Sequence, residues 1–284
     1  MGHLIVNADD FGLTSGVNRA IIELHSAGVL TSTSLMARAN ATEEAIKLAR
    51  SAPALGVGCH IVLVDGEPVL PPDQIPTLVD SRTGCFPSSL NTFLARLFTG
   101  RIRAAEIEAE AGAQIDSLKQ RGVRLTHVDT HKHTHVLPSV LRAVLRAARG
   151  RGIRAIRNPF EPEWSIRATP RAPWLRTAQV AGLRWLEPVC CRMIEQEGFV
   201  TTSGTIAVAG TGVLDAGTLR SLLQSLPSGT WELVTHPGYN DADLDRVRTR
   251  LRASRDIERS ALIALKEFPA IELVSFARIQ THAP

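Results

Sequence analysis

The segment Asn7-Ala-Asp9-Asp10-Phe11-Gly12 follows a short apolar run near the amino terminus. Two neighbouring carboxylates repel each other, so holding both out of water requires a cation or a proton. A divalent metal on one of them offsets that cost and leaves the other as a base toward water. An Asx turn joining a strand to a helix is the plainer alternative. A second concentration lies at His127-Val-Asp129-Thr-His131-Lys-His133-Thr-His135, with four histidines in nine residues. Alternate residues of an extended chain share one face. Such a density of imidazole suits a nitrogen and oxygen metal site, with Asp129 as an outer partner that orients a histidine. A solvated histidine-rich turn is the alternative, and not all four rings can reach one ion.

Three further residues stand alone. His60, in Val57-Gly-Cys-His-Ile-Val-Leu63, is polar inside an apolar run. It is either a satisfied core histidine or a ligand to the same site. His236 sits where a strand candidate breaks at Pro237; it is a candidate general acid or a turn residue. Arg157 closes another strand candidate and either binds a substrate oxygen or meets an acidic loop.

The elements that must position these residues alternate along the chain. Strand candidates are His3–Ala8, Thr31–Met36, Val57–Leu63, Leu125–Asp129, Ile153–Arg157, Thr205–Val208, Trp231–Thr235 and Leu273–Ala277. Between them run amphipathic helix candidates at Ser15–His25, Thr42–Arg50, Arg101–Arg121, from Pro138 to Gly150, Ala216–Leu226 and Ser254–Glu267. Alternation of this kind implies parallel pairing with helical crossovers. About eight such units predict a single α/β domain over 1–284, a (β/α) TIM-like barrel with irregularities. An open doubly wound sheet is the rival. In a barrel the polar strand ends named above open on one face, so residues distant in sequence converge. Two segments interrupt the rhythm: a Pro- and Gly-rich stretch, Val64–Ser89, and an insert at about 158–200 that holds Trp164, Trp174 and Trp185.

Bulk composition narrows the classes. Of 284 residues 44% are hydrophobic and 21% charged, with net charge +4, which is ordinary globular composition rather than disorder. The basic residues are scattered, which argues against nucleic acid as a partner. The four cysteines form no Cys-x-x-Cys pair, and free thiols fit a reducing cytoplasm. The amino-terminal apolar run is too short for a signal peptide or a membrane span.

Taken in order, Asn-Ala-Asp-Asp-Phe-Gly, then Gly-x-His60 followed by Leu63, then His-x-Asp-Thr-His-x-His-x-His, then His236-Pro resemble the YdjC-like carbohydrate deacetylases over nearly the whole chain. The resemblance implies a (β/α) barrel that hydrolyses N-acetyl groups of amino sugars with one divalent metal, magnesium or zinc. By position it implies Asp10, His60 and His131 as ligands, with Asp129 and His133 behind them. Asp9 is then the base and His236 the acid, with His133 and His135 as the other candidates for the acid. Thr130 and Lys132 stand where many relatives carry Ser and His, and Lys132 is expected to point away from the metal.

Ile156-Arg157-Asn-Pro-Phe-Glu161, Ala209–Gly212 and Thr235-His-Pro-Gly-Tyr239 are similar to the hopanoid-biosynthesis branch, HpnK. That similarity implies an N-acetylglucosaminyl hopanoid as substrate; with no signal peptide or span expected, the protein is expected in the cytoplasm, at the inner membrane face if something holds it there. In the insert Leu175, Ala178, Gly182, Trp185 and Val189 recur at helical spacing beside Arg167, Arg171, Arg176, Arg184 and Arg192. A basic amphipathic stretch fits a peripheral membrane contact or a lipid-linked sugar; an ordinary lid or a homodimer contact is the alternative. Pro188 is expected to interrupt the helix. Two rival functions remain. A barrel-type metal phosphoesterase typically opens with His-x-His and several metals, whereas Asp-Asp favours one. A non-catalytic sugar- or metal-binding protein would not need acid and base candidates beside the ligands.

Overall fold

The computed structural model describes residues 2–169, 171–268 and 271–280. Its strands are β1 (Gly2–Phe11), β2 (Ser32–Leu35), β3 (Gly56–Ile61), β4 (Leu125–Thr130), β5 (Gly204–Ile206), β6 (Gly229–Thr235) and β7 (Glu272–Leu273). All their pairings are parallel, in the order β4-β3-β2-β1-β6-β5, and β7 pairs with the start of β1. Beyond β4 the pairing continues only as single bridges, Val128 to Ile156 and Ala155 to Val200.

The expected barrel is therefore a curled, open parallel sheet. β4 and β6 stand four positions apart, about 19 Å in a flat sheet. Yet Asp129 of β4 and Glu232 of β6 both meet the Arg157 guanidinium, at 2.7 and 2.8 Å. Only curling brings them together. Two of the eight expected strands did not form as such. Ile153–Arg157 makes isolated bridges, and Leu273–Ala277 stops after two residues and gives way to a helix, Phe276–Gln280.

Both faces of the sheet are buried, but they differ. Along β1, Leu4, Val6 and Ala8 join the main apolar core. With a strand period of two, Ile5, Asn7 and Asp9 face inside the curl. The same alternation turns Ser34, His60, Asp129 and Glu232 inward, all of them fully or almost fully buried. At the foot of the curl Ile5 packs with Ala155, Val274 and Phe276. The interior is thus apolar at its base and polar toward the carboxyl ends of the strands.

Helices cover the outer face. Ser15–Ser26 is capped by Thr14, whose hydroxyl accepts from the Val17 amide. Pro138 opens Pro138–Arg149, where its missing N–H costs nothing. Three features refine the expected arrangement. A helix, Leu90–Phe98, follows directly on the Val64–Ser89 stretch. The insert carries helices at Glu163–Arg167, Trp174–Leu183 and Glu187–Gln196; the helical stretch is interrupted at Arg184–Leu186, just ahead of Pro188, which lies in the first turn of the last helix. The histidine run is not extended past Thr130: it folds into a tight turn, His131–Val136, with Lys132 and His133 at φ of 56° and 51°.

Candidate active site

In a regular strand Asp9 and Asp10 would point to opposite faces. Asp10 instead adopts φ 66°, where the β1–β2 register also shifts. The left-handed conformation costs about 1–3 kcal/mol for a residue other than glycine, and Asp tolerates it better than most. Its consequence is that both carboxylates serve the same site.

Around Asp10 three ligand-type atoms converge. Asp10 Oδ1 lies 3.7 Å from His60 Nε2 and 3.4 Å from His131 Nδ1. The two imidazole nitrogens are 3.3 Å apart. Burial works to raise the Asp10 carboxyl, but Arg255 and His131 overcome it and hold it well below the usual carboxylate range. Arg255 Nη2 bonds the other oxygen, Oδ2, at 2.5 Å. Oδ1 is left buried with no hydrogen-bond partner among the described residues. A lone-pair-bearing oxygen aimed at two imidazole nitrogens is a donor set that fits one small divalent cation.

A second group, Asp9, His60 and Asp129, is also close enough to share an ion. Its charge is already answered. Arg157 bonds Asp9 through Nη1 at 2.9 Å and Nη2 at 2.6 Å, Asp129 at 2.7 Å and Glu232 at 2.8 Å. A cation there would lie against a guanidinium, so the Asp10 group is the better cation site.

Asp129 also accepts from Ser34 Oγ at 2.7 Å and meets His60 Nδ1 at 2.8 Å. It thereby fixes the His60 ring so that Nε2 faces Asp10. Burial lowers the proton affinity of His60, but Asp129, Asp9 and Asp10 overcome it and raise its pKa to about 9. Burial raises Glu232 to about 8 and Glu258 to about 7. Arg157 and Arg255 are the guanidinium groups that face Asp9, Asp10 and Asp129.

A family model described as "YdjC-like protein" matches residues 3–268. The chain belongs to the YdjC-like family. Among curated relatives, a "Carbohydrate deacetylase" of Thermoanaerobacter pseudethanolicus is 32% identical over 265 residues, 92% of this chain and 91% of that protein. One from Brevibacillus brevis is 41% identical over 128 residues, 45% of this chain and 48% of that protein. Among solved structures, one from Enterococcus faecalis V583, provisionally described as a cellobiose-phosphate cleavage protein, has a TM-score of 0.77 at 25% identity, covering 98% of this chain and 99% of that one.

The other expected residues of this YdjC-like chain fall as follows. Arg157 was expected to bind a substrate oxygen. It is wholly buried, and Nε, Nη1 and Nη2 each bond a carboxylate. It holds Asp9 and Asp129 in place instead. His236 Nε2 stands 3.9 Å from Asp9 Oδ2, beside the cluster. Burial pushes its pKa down to about 4, against the pull of Asp9 and Asp10. His133 makes no hydrogen bond to Asp10, His60 or His131 among the described residues, and its Nδ1 is buried without a partner. The left-handed turn leaves it within electrostatic reach of Arg157, His135, Asp129 and His236. Lys132 pairs with Asp65 at 2.8 Å.

Arg255 and Glu258 escaped the sequence reading of this YdjC-like chain. Both lie on the helix Arg252–Leu262, where Ser254, Arg255, Glu258, Ala261 and Leu262 form the buried face. The one available signal was two charged residues placed on the apolar stripe rather than opposite it.

Proposed function

We propose that this chain is a metal-dependent hydrolase that removes the acetyl group from an N-acetylated amino sugar. The observation that carries the reading is the unpartnered Asp10 Oδ1 facing His60 Nε2 and His131 Nδ1. Asp10, His60 and His131 would hold the ion, zinc or magnesium. When bound, such an ion acts as a Lewis acid toward the acetamide carbonyl. Asp9 takes the proton of the attacking water, and Arg157 keeps its carboxylate aimed. His236 Nε2 gives a proton to the departing nitrogen. Asp129 orients His60. The name borne by relatives at 32–41% identity, carbohydrate deacetylase, supports the substrate class.

The deciding experiment is acetate release from N-acetylglucosamine oligomers by the metal-loaded protein. Activity should vanish on chelation and return with zinc or magnesium. No acetate with either metal, or activity indifferent to chelation, would remove this reading.

A finer substrate is favoured by the insert. The helix Trp174–Leu183 has no buried residue, and Trp174, Leu175, Leu183 and Trp185 are exposed. Arg176 ties it to the Val208 carbonyl, and the same loop reaches Glu258 through Gly212. An apolar surface adjoining the site fits the lipid part of a lipid-linked acetylated sugar, such as a hopanoid, met in the cytoplasm at the inner membrane face. Among the described residues no helix is long and apolar enough to cross a membrane. Flotation with anionic vesicles should carry the protein upward and Trp174→Ala should reduce it. No flotation would remove the lipid reading, and a dimer lost on the same substitution would assign this face to a second copy.

A further inference from the structure

The proton-transfer partner named above, His236, has a neighbour that neither its sequence motif nor its position predicts. Glu258, from the helix Arg252–Leu262, accepts the His236 backbone N–H through Oε2 at 2.6 Å. The same oxygen lies 3.9 Å from His236 Nδ1. That ring nitrogen is buried with no hydrogen-bond partner among the described residues. The other ring nitrogen, Nε2, faces Asp9. Glu258 Oε1 is held by the Gly212 amide at 3.4 Å, so the carboxyl is pinned from the far side. Its exposure is 1%, and a buried carboxyl is costly unless it is used or well paired.

We propose that Glu258 is the positioning residue for His236: it anchors the backbone at that position and faces Nδ1, so that Nε2 is the ring atom presented to the substrate nitrogen. This rests on the deacetylase reading and deepens it. A small rotation of the ring brings Nδ1–H onto Oε2. A carboxylate there stabilises the ring while it carries a proton, and the proton leaves from Nε2, as in other histidine–carboxylate pairs. Burial alone would favour the neutral ring, and Arg255 and His60 push the same way, while Asp9 and Asp10 oppose them. Glu258 itself faces Arg255, Arg176 and Asp9. One turn earlier on the helix, Arg255 holds the ligand candidate Asp10. A single helix face therefore sets both the cation ligand and the proton donor, as residues three apart on a helix can do.

The test compares two substrates that differ in their need for a proton at the leaving group. An acetylated amino sugar loses a strongly basic amine; a nitrophenyl acetate loses a stable anion. Glu258→Gln should lower kcat for the amide by about 100-fold, within the range for one acid–base group, with KM and bound metal unchanged. Its rate on the aryl ester should fall no more than about twofold. Adding His236→Ala to Glu258→Gln should cost the amide little beyond His236→Ala alone. Equal loss on both substrates would assign Glu258 a merely structural role, and an unchanged amide rate would remove it from the reaction; either overturns the proposal. A wild-type protein that frees no acetate from the amide while cleaving the ester would instead sink the deacetylase reading on which this one stands.

Discussion

Arg255 holds Asp10 Oδ2 at 2.5 Å across 245 positions of sequence. Because that oxygen is occupied, Asp10 presents only Oδ1 to His60 and His131. The expected outcome of Arg255→Met is a fall in zinc affinity of about 10- to 100-fold, the usual cost of losing an outer partner. Competition with a chromophoric chelator reads it. Unchanged affinity would show that Asp10 needs no such support.

Asp9 and Asp10 should separate cleanly by substitution. Asp9→Asn keeps one metal per chain but loses acetate release by about 100-fold or more, as expected of a missing base. Asp10→Asn loses the metal itself. Metal content by emission spectroscopy, with turnover on the same samples, distinguishes them; an Asp9→Asn protein with full turnover would contradict the assignment.

Arg157 sits at the centre of a buried charge cluster with Asp9, Asp129 and Glu232. Removing it as Arg157→Met leaves Asp9, Asp129 and Glu232 facing one another in a dry interior. The expected loss is about 3–5 kcal/mol of stability, the scale for breaking a buried ion pair on one side. Denaturant unfolding measures it. A stability near that of the wild type would mean that water reaches the cluster.

The metal-free protein should have a stability maximum near neutral pH. On the alkaline side, burial raises Glu258 to about 7 and Glu232 to about 8, and neighbouring carboxylates raise His60 to about 9 against its burial. The folded state binds these protons more tightly than the unfolded chain. Their contribution is complete below the unfolded values and lost as pH rises through the folded ones. On the acid side, burial lowers His236 and His135 to about 4 and His127 to about 3. The unfolded chain then takes protons that the folded one refuses, so stability falls from pH 6.5 downward. Thermal midpoints from pH 4 to 10 test both limbs, and Glu258→Gln should flatten the alkaline one.

The sequence by itself determined the parallel α/β alternation, because apolar runs and amphipathic stretches carry their periods locally. It also determined which residue types gather: the Asp9–Asp10 pair, His60 inside an apolar strand, and His131 after β4 are visible as polar residues where a core would otherwise be. Tertiary structure alone decided what each of them touches. Arg157 could not be told from a substrate-binding arginine until the curl of the sheet brought Asp9, Asp129 and Glu232 onto its guanidinium. His133 could not be separated from His131 until the turn at Lys132 reversed the alternation. Arg255 and Glu258 read as ordinary charges on a surface helix, because a helix's charged residues normally face water and their place on the apolar stripe does not say what they touch. Side-chain burial and through-space charge depend on contacts between segments far apart in the chain, and no short stretch of sequence contains them.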